Sequence, residues 1–121
     1  MVTRRAFQSG SLAWFLQRVT AVVLLFTLGF HFLWLHFVNH AAEVTLWGTG
    51  LRMDRLGYAA VLVLFLVTAA FHGVNGVYNA LVNQGLKGRR RQAAAWLLGL
   101  AGTLLVVQGL RVAVAMAGVV D

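Results

Sequence analysis

The sequence predicts an all-α membrane protein with three transmembrane helices. The first observation is composition: 60% of the 121 residues are hydrophobic and 11% are charged, whereas soluble domains average about 45–50% apolar and about 25% charged residues. The second is that the apolar residues form three runs, each longer than the ~20 residues that cross a hydrocarbon core. Composition therefore argues against a soluble domain and excludes a disordered chain.

The three runs give the predicted helices approximate bounds of 12–38, 56–82 and 93–118. Each run is interpreted as an α-helix despite its many valines, because a helix satisfies its own backbone hydrogen bonds in lipid. The first run is too long and starts too late for a cleaved signal peptide, and no small-residue cleavage site follows it. We expect a single transmembrane anchor domain, 1–121, with almost nothing outside the bilayer and no catalytic residues of its own.

The absence of cysteine removes several chemistries at once. A chain without thiols has no disulfide framework, no thiolate nucleophile and no iron–sulfur ligand set. Proline is absent as well, so no long helix need be kinked at one. Function must therefore depend on residues inside the bilayer or on what the chain anchors.

Basic residues predict the orientation of the helices. Seven of them lie at the N-terminal side and in the second loop: Arg4, Arg5, Arg18, Lys87, Arg89, Arg90 and Arg91. The first loop holds Arg52 and Arg55, offset by Glu43 and Asp54. Because basic loops stay on the cytoplasmic side, the N-terminus and the second loop are expected to face the cytoplasm. The expected location is a prokaryotic cytoplasmic (inner) membrane, crossed several times.

The second predicted helix carries polar and small residues at spacings of three and four, which place them on one face. They are Thr68, His72, Asn75, Gly76, Asn79 and Asn83. One interpretation is a helix–helix interface built from small and hydrogen-bonding residues. The other is a cofactor groove, in which His72 is a ligand and Gly73 and Gly76 let a flat ring lie against the backbone. The two glycines and the polar face together favour the cofactor.

The first predicted helix has a similar face, formed by Ala13, Gln17, Thr20, Leu24, Thr27 and His31. His31 therefore faces protein, either as a ligand or as a packed histidine bonded to a carbonyl. Arg18 lies about one turn inside the boundary and either snorkels to lipid phosphates or binds a haem propionate or a quinone carbonyl. His36 and His40 have a metal-compatible spacing, but a water-exposed helix end explains them better.

The third predicted helix carries small residues at the same spacing: Ala95, Gly99, Gly102, Val106, Gly109 and Ala113. Small residues let helix backbones approach closely in a membrane. This face predicts close helix packing and no chemistry. The spans hold no Asp or Glu before Asp121, which argues against a carboxylate proton relay.

Histidine in a dry, apolar, thiol-free site suits haem iron. At a rise of ~1.5 Å per residue, His31 lies about 18–20 Å from the inner end of its helix and His72 about 9 Å from the inner face. A difference of about 10 Å in depth is too large for two ligands of one iron. A haem bound by His72 therefore needs its second histidine from another chain, and His31 would serve a second haem nearer the outer face.

Two segments resemble the small membrane-anchor subunits of succinate dehydrogenase and fumarate reductase (complex II). They are WFLQRVTA from Trp14 to Ala21 and HGVNG from His72 to Gly76, and the resemblance covers essentially the whole chain. The Arg-x-Thr-Ala pattern from Arg18 is closer to the D-type cytochrome b anchor than to the C-type. The resemblance implies a subunit of succinate:quinone oxidoreductase that packs with a partner anchor into a helix bundle. The alternative is a haem-free anchor or assembly protein.

The resemblance also implies partners and site residues. The partners are a second membrane-anchor subunit, an iron–sulfur subunit and a flavoprotein subunit, which pass electrons from succinate to a membrane quinone. His72 and His31 would be axial ligands of two haems b per complex, shared with the partner anchor, with Gly76 beside the haem of His72. Trp14, Gln17 and Arg18 are the quinone-site candidates. Asn83 and Gln84 depart from the acidic or Tyr residues that several members carry near the quinone.

Overall fold

Five helical segments make up the described part of the chain, and none of the described residues forms a β-strand. The computed structural model describes residues 11–38, 40, 42 and 44–118. The segments are α1 (Leu12–Leu33), a π-helical turn (Trp34–Val38), α2 (Leu46–Asp54), α3 (Leu56–Asn83) and α4 (Gly88–Ala117). Within this part, three stretches are long and apolar enough to cross a membrane: Leu12–Val38, Leu56–Asn83 and Gly88–Ala117. The predicted all-α class is confirmed.

Local side chains explain where the helices begin and end. The Ser11 hydroxyl accepts a 3.2 Å hydrogen bond from the Trp14 N–H at the start of α1, a standard N-cap. After α3, Gly85 has φ 99°, and the amides of Gly85 and Leu86 donate to the carbonyls of Val82 and Leu81. This is the Schellman arrangement, in which a left-handed residue, usually glycine, ends a helix. The chain can therefore reverse within a few residues and enter α4.

Helix α4 begins at Gly88, before its expected start near residue 93. The expected start marked the beginning of the apolar run, but a helix requires only backbone geometry and accepts charged residues where its first turn leaves the hydrocarbon. The basic residues Arg89, Arg90 and Arg91 are therefore helical. Arg4, Arg5, Glu43 and Asp121 lie outside the described residues.

Helix α2 was not predicted, because its sequence was assigned to the first loop. The helix is nine residues long and contains two glycines, so neither length nor propensity marks it. The Thr45 hydroxyl caps it by accepting a 3.0 Å hydrogen bond from the Gly48 N–H. Gly50 and Met53 are buried where α2 packs against α3 and α4. This helix therefore covers the N-terminal part of α3 and the C-terminal part of α4.

Helix α3 organises the described helices because it packs against both α1 and α4. Large apolar side chains on the outer faces stay exposed, among them Leu25, Phe26 and Trp96. No residue of α4 is buried. Such surfaces are incompatible with water, so the long helices have faces available for lipid or for further helices.

The close packing predicted for the small residues of α4 is present at two of its glycines. A β-carbon added at Gly102 would lie 2.7 Å from Val74 Cγ2, and one at Gly109 would lie 2.5 Å from Leu66 Cδ2. At Gly99 a β-carbon would have no neighbour within 4 Å. The prediction therefore holds for Gly102 and Gly109, where α4 meets α3, and fails for Gly99.

We expect Gly102→Ala to destabilise the α3–α4 pair. The side chain of Val74 is β-branched and stiff in a helix, so it cannot turn away from a new methyl group. Overpacking of this kind costs about 1–3 kcal/mol. The measurement is the denaturant midpoint of the detergent-solubilised protein, with Gly99→Ala, one turn away, as the matched control. Equal midpoints for the two variants would contradict the packing described here.

Candidate functional site

The His72 side chain lies between α1 and α3, where Thr20 holds one of its two nitrogens. The Thr20 Oγ1 is 3.1 Å from His72 Nδ1 and 2.7 Å from the Leu16 carbonyl. A hydroxyl has one proton to donate, and the short contact assigns that proton to Leu16. Thr20 therefore accepts from the Nδ1–H of His72, and the lone pair of the imidazole is on Nε2.

Gln17 holds the other nitrogen. Its amide Nε2 is 3.3 Å from His72 Nε2 and 3.2 Å from the His72 carbonyl, so the two amide protons reach both acceptors. The Gln17 Oε1 accepts a 2.8 Å hydrogen bond from Asn75 Nδ2. Asn79 Nδ2 in turn donates to the Asn75 carbonyl at 2.6 Å and to its Oδ1 at 3.1 Å. The polar faces predicted on the first and second spans therefore meet and bond to each other.

The two glycines beside His72 have different surroundings. A β-carbon on Gly76 would lie 3.2 Å from the Gln17 amide nitrogen, whereas one on Gly73 would have no neighbour within 4 Å. Gly76 therefore leaves room for the Gln17 amide, whereas Gly73 borders an open space between α3 and α4. The role of Gly76 beside a haem stays a prediction.

The donor set around His72 fits a haem ligand. A ligating histidine almost always donates its other ring N–H to an oxygen, which fixes the tautomer and the ring orientation, and the contact with Thr20 has this form. The Nε2 lone pair meets only the side-chain amide of Gln17, which can rotate away. The described residues contain no group of three or more His, Cys, Asp or Glu that could hold a metal ion.

His31 does not join this network. Its Nδ1 is buried without a hydrogen-bond partner, and its ring stacks on Phe65 with centroids 6.2 Å apart. The sequence left open a hydrogen bond from the His31 ring to a neighbouring carbonyl, and among the described residues no such bond is made at Nδ1. An unpaired buried polar group costs about 1–3 kcal/mol, so His31 Nδ1 is unfavourably placed among the described residues.

The three quinone-site candidates divide between two environments. Gln17 faces α3, whereas the Arg18 side chain is exposed and its guanidinium carbon lies 4.2 Å above the Trp14 ring. This is a cation–π contact, and it holds the Arg18 side chain near the N-terminal end of α1. The exposed guanidinium keeps its hydrogen-bond donors available to an anion or a carbonyl.

A contact between the C-terminal end of α3 and the N-terminal end of α4 was not anticipated. The Nε of Arg91 donates a 2.7 Å hydrogen bond to the Tyr78 hydroxyl, and its guanidinium carbon lies 5.7 Å from the ring centroid. Lys87, Arg89 and Arg90 remain exposed.

The sequence pattern placed Thr20 on the interior face of the first helix but assigned it no function. A signal for it existed, since a hydroxyl on the face opposite a membrane histidine is a natural acceptor.

The exposed histidines at the outer end carry no site. His36 is exposed and stacks on Phe32 at 5.3 Å between centroids. His40 is exposed and has φ 44°, beyond the end of the π-helical turn. Because the two are not on one continuous helix, the spacing that suggested a metal pair does not apply.

These features define a helical membrane protein in which two spans share a polar network around one histidine. Residues 2–107 match the family of succinate dehydrogenase/fumarate reductase transmembrane subunits, and the chain belongs to that family. It is therefore a membrane-anchor subunit of the complex II type, as the resemblance implied. No curated protein and no solved structure shows a significant match to the chain.

Proposed function

We propose that this chain is the D-type anchor of a succinate:quinone oxidoreductase, and that it ligates haem b through His72 and helps to form the quinone site. The observation that supports the proposal best is the state of the His72 ring, whose Nδ1–H is held by Thr20 and whose Nε2 keeps its lone pair. That is the state in which an imidazole binds iron. When bound, a haem with two histidine ligands supplies one-electron transfer without an open coordination position.

The complex has two haems b in this proposal. The inner haem takes His72 from this chain and a histidine from the partner anchor. The outer haem takes His31, which lies on α1 outside the hydrogen-bond network of His72 and stacks on Phe65. The two positions differ in depth by about 10 Å, which is why one iron cannot use both.

The quinone lies at the inner membrane edge, near Trp14, Gln17 and Arg18. The Trp14 ring positions the Arg18 guanidinium, which donates hydrogen bonds to a quinone carbonyl or a haem propionate and stabilises the negative charge that reduction creates there. Gln17 bridges this end of α1 to His72. The proposed electron path therefore ends within one helical turn of the haem ligand network.

Arg18→Leu is expected to lower quinone reduction by about 10²-fold, the scale at which a charge-stabilising donor acts. Succinate oxidation with a soluble acceptor should change little, because that reaction does not use the membrane site. The two activities are measured on one purified preparation, with Arg111→Leu, an exposed arginine of α4, as the matched control. Equal loss of both activities would indicate misassembly, and loss of neither would show that Arg18 only snorkels.

The soluble subunits dock on the cytoplasmic face, through the N-terminal segment, Arg18 and the loop from Lys87 to Arg91. Lys87, Arg89 and Arg90 are exposed and form a basic surface for an acidic partner. Arg91 is already bound to Tyr78. Of the four basic residues from Lys87 to Arg91, three are therefore exposed around the start of α4, and Arg91 holds α4 to α3.

The double variant Arg89→Glu/Arg90→Glu should weaken retention of the iron–sulfur and flavoprotein subunits by about tenfold or more, because like charges would face each other across the interface. Co-purification at increasing salt measures it. Tyr78→Phe is the control, since it releases Arg91 without changing the charge. A reporter after Asp121 should stay on the outer side in every variant. Full retention with intact orientation would exclude a docking role for this loop.

A second function is supported by a separate observation. The contacts among Gln17, His72 and Asn75 give the side chains of both polar faces hydrogen-bond partners without any cofactor. The same contacts would be expected in a haem-free anchor whose polar faces only pack the helices together. A reduced-minus-oxidised absorption spectrum of the purified complex distinguishes the two functions. A haem b band supports ligation, and a flat spectrum supports the structural anchor.

A further inference from the structure

We propose that Thr20 is the positioning residue for His72, and that it sets the ring orientation and the electron donation of the imidazole toward the iron. This inference rests on the proposed haem ligation. It concerns the nitrogen that faces away from the iron, so it can fail while haem ligation holds.

The geometry singles out Thr20 among similar residues. Three buried threonines in the long helices each donate to the carbonyl four residues earlier: Thr20 to Leu16 at 2.7 Å, Thr27 to Val23 at 2.9 Å and Thr68 to Leu64 at 2.6 Å. Of these three, Thr20 is the one whose oxygen also lies within hydrogen-bond distance of a histidine. A single oxygen therefore links the backbone of α1 to the Nδ1–H of His72.

The direction of the hydrogen bonds decides what this link does. Because the hydroxyl proton goes to the Leu16 carbonyl, the oxygen can only accept from the ring. The ring Nδ1–H donates to the Thr20 oxygen, and the Thr20 hydroxyl donates to the Leu16 carbonyl. An acceptor at Nδ1–H makes the imidazole a better electron donor at Nε2, as outer-shell acceptors do for metal-bound histidine. The same bond stops rotation of the ring about its Cβ–Cγ bond.

The contact at His72 Nε2, on the opposite side of the ring, explains why Thr20 would control the ring position once iron is bound. Gln17 contacts Nε2, and iron at that nitrogen requires the amide to leave. The described contact that then remains on the ring nitrogens is the one from Nδ1 to Thr20. Thr20 touches neither the iron nor the quinone in this arrangement, so its effect has to pass through the imidazole.

The test compares Thr20→Val, Thr20→Ala and Thr20→Ser in the whole purified complex, with Thr27→Val as the matched control from the same helix. The readouts are the midpoint potential of the inner haem, the g values of its ferric form and the haem-to-flavin ratio. We expect both hydroxyl-free variants to favour the ferrous form about tenfold more than wild type. For a one-electron couple this is a positive shift of about 59 mV. Thr20→Ser should restore the wild-type potential, and Thr27→Val should leave it unchanged.

Three results would overturn the proposal. Wild-type potentials and g values in Thr20→Val and Thr20→Ala would show that Thr20 only packs α1 against α3. Failure of both hydroxyl-free variants to assemble, with Thr27→Val assembled, would show a structural role. A wild-type complex without haem would overturn the proposed function together with this inference, and is distinguished from the first two by its absorption spectrum.

Discussion

The His72→Leu complex should lack its inner haem while the soluble subunits stay attached. Leucine is close to histidine in volume and lies comfortably in a membrane helix, but it has no lone pair for iron. Loss of an outer-shell partner alone lowers metal affinity by about 10–100-fold, and loss of the ligand should exceed that. The substitution also leaves Gln17 and Thr20 without their contacts to the ring, so a modest fall in stability is expected as well.

The measurement is the reduced-minus-oxidised spectrum per flavin, after affinity purification of the variant complex. His36→Leu is the control, because it removes an exposed histidine at the outer end of the first span. The control should keep the wild-type spectrum. An unchanged inner component in His72→Leu would show that the partner anchor supplies both ligands, and the assignment of His72 would be wrong.

His31→Leu should remove about half of the haem b and leave the component that depends on His72. The reason is depth, since the two histidines lie about 10 Å apart along the membrane normal and, in the proposed function, serve different irons. Leucine against Phe65 keeps an apolar contact where the imidazole now stacks. It also removes a buried nitrogen without a hydrogen bond, so the variant should assemble normally.

The two haem components are resolved by redox titration of the wild-type and variant complexes. Phe65→Leu is the matched control, because it alters the stacking surface of His31 and leaves both ligands in place. It should shift the outer component and retain it. A wild-type complex that titrates as one component, unchanged in His31→Leu, would make His31 a packing residue.

The fold was largely predictable because the membrane imposes it. Helices must satisfy their own hydrogen bonds in lipid, so long apolar runs fix the number of spans. Helix α2 depends instead on a local cap at Thr45 and on contacts of Gly50 and Met53 with two other helices. Such contacts between distant residues leave no pattern in nine residues of sequence. The early start of α4 was missed for a related reason, since charged residues hide a helix from a hydropathy argument.

The sequence predicted which helix faces form the site, but not which side-chain atoms meet there. Spacings of three and four placed Gln17, Thr20, His72 and Asn75 on interior faces, and periodicity carries that information. Which atoms meet depends on the relative rotation and height of α1 and α3, which a one-dimensional pattern does not contain. The Thr20–Nδ1 and Gln17–Nε2 contacts therefore came only from the structure. The Arg91–Tyr78 contact depends in the same way on how tightly the chain turns at Gly85.

The haem-to-flavin ratio of the purified wild-type complex tests the central claim most directly, that this chain is a haem-ligating anchor. Haem is quantified from the pyridine haemochrome spectrum and flavin from its own absorption after denaturation, on one sample that also contains the four expected subunits. The account predicts two haems b for each flavin. A complex that contains flavin and all four subunits but no haem would contradict it, and would leave the polar faces of α1 and α3 as helix packing alone.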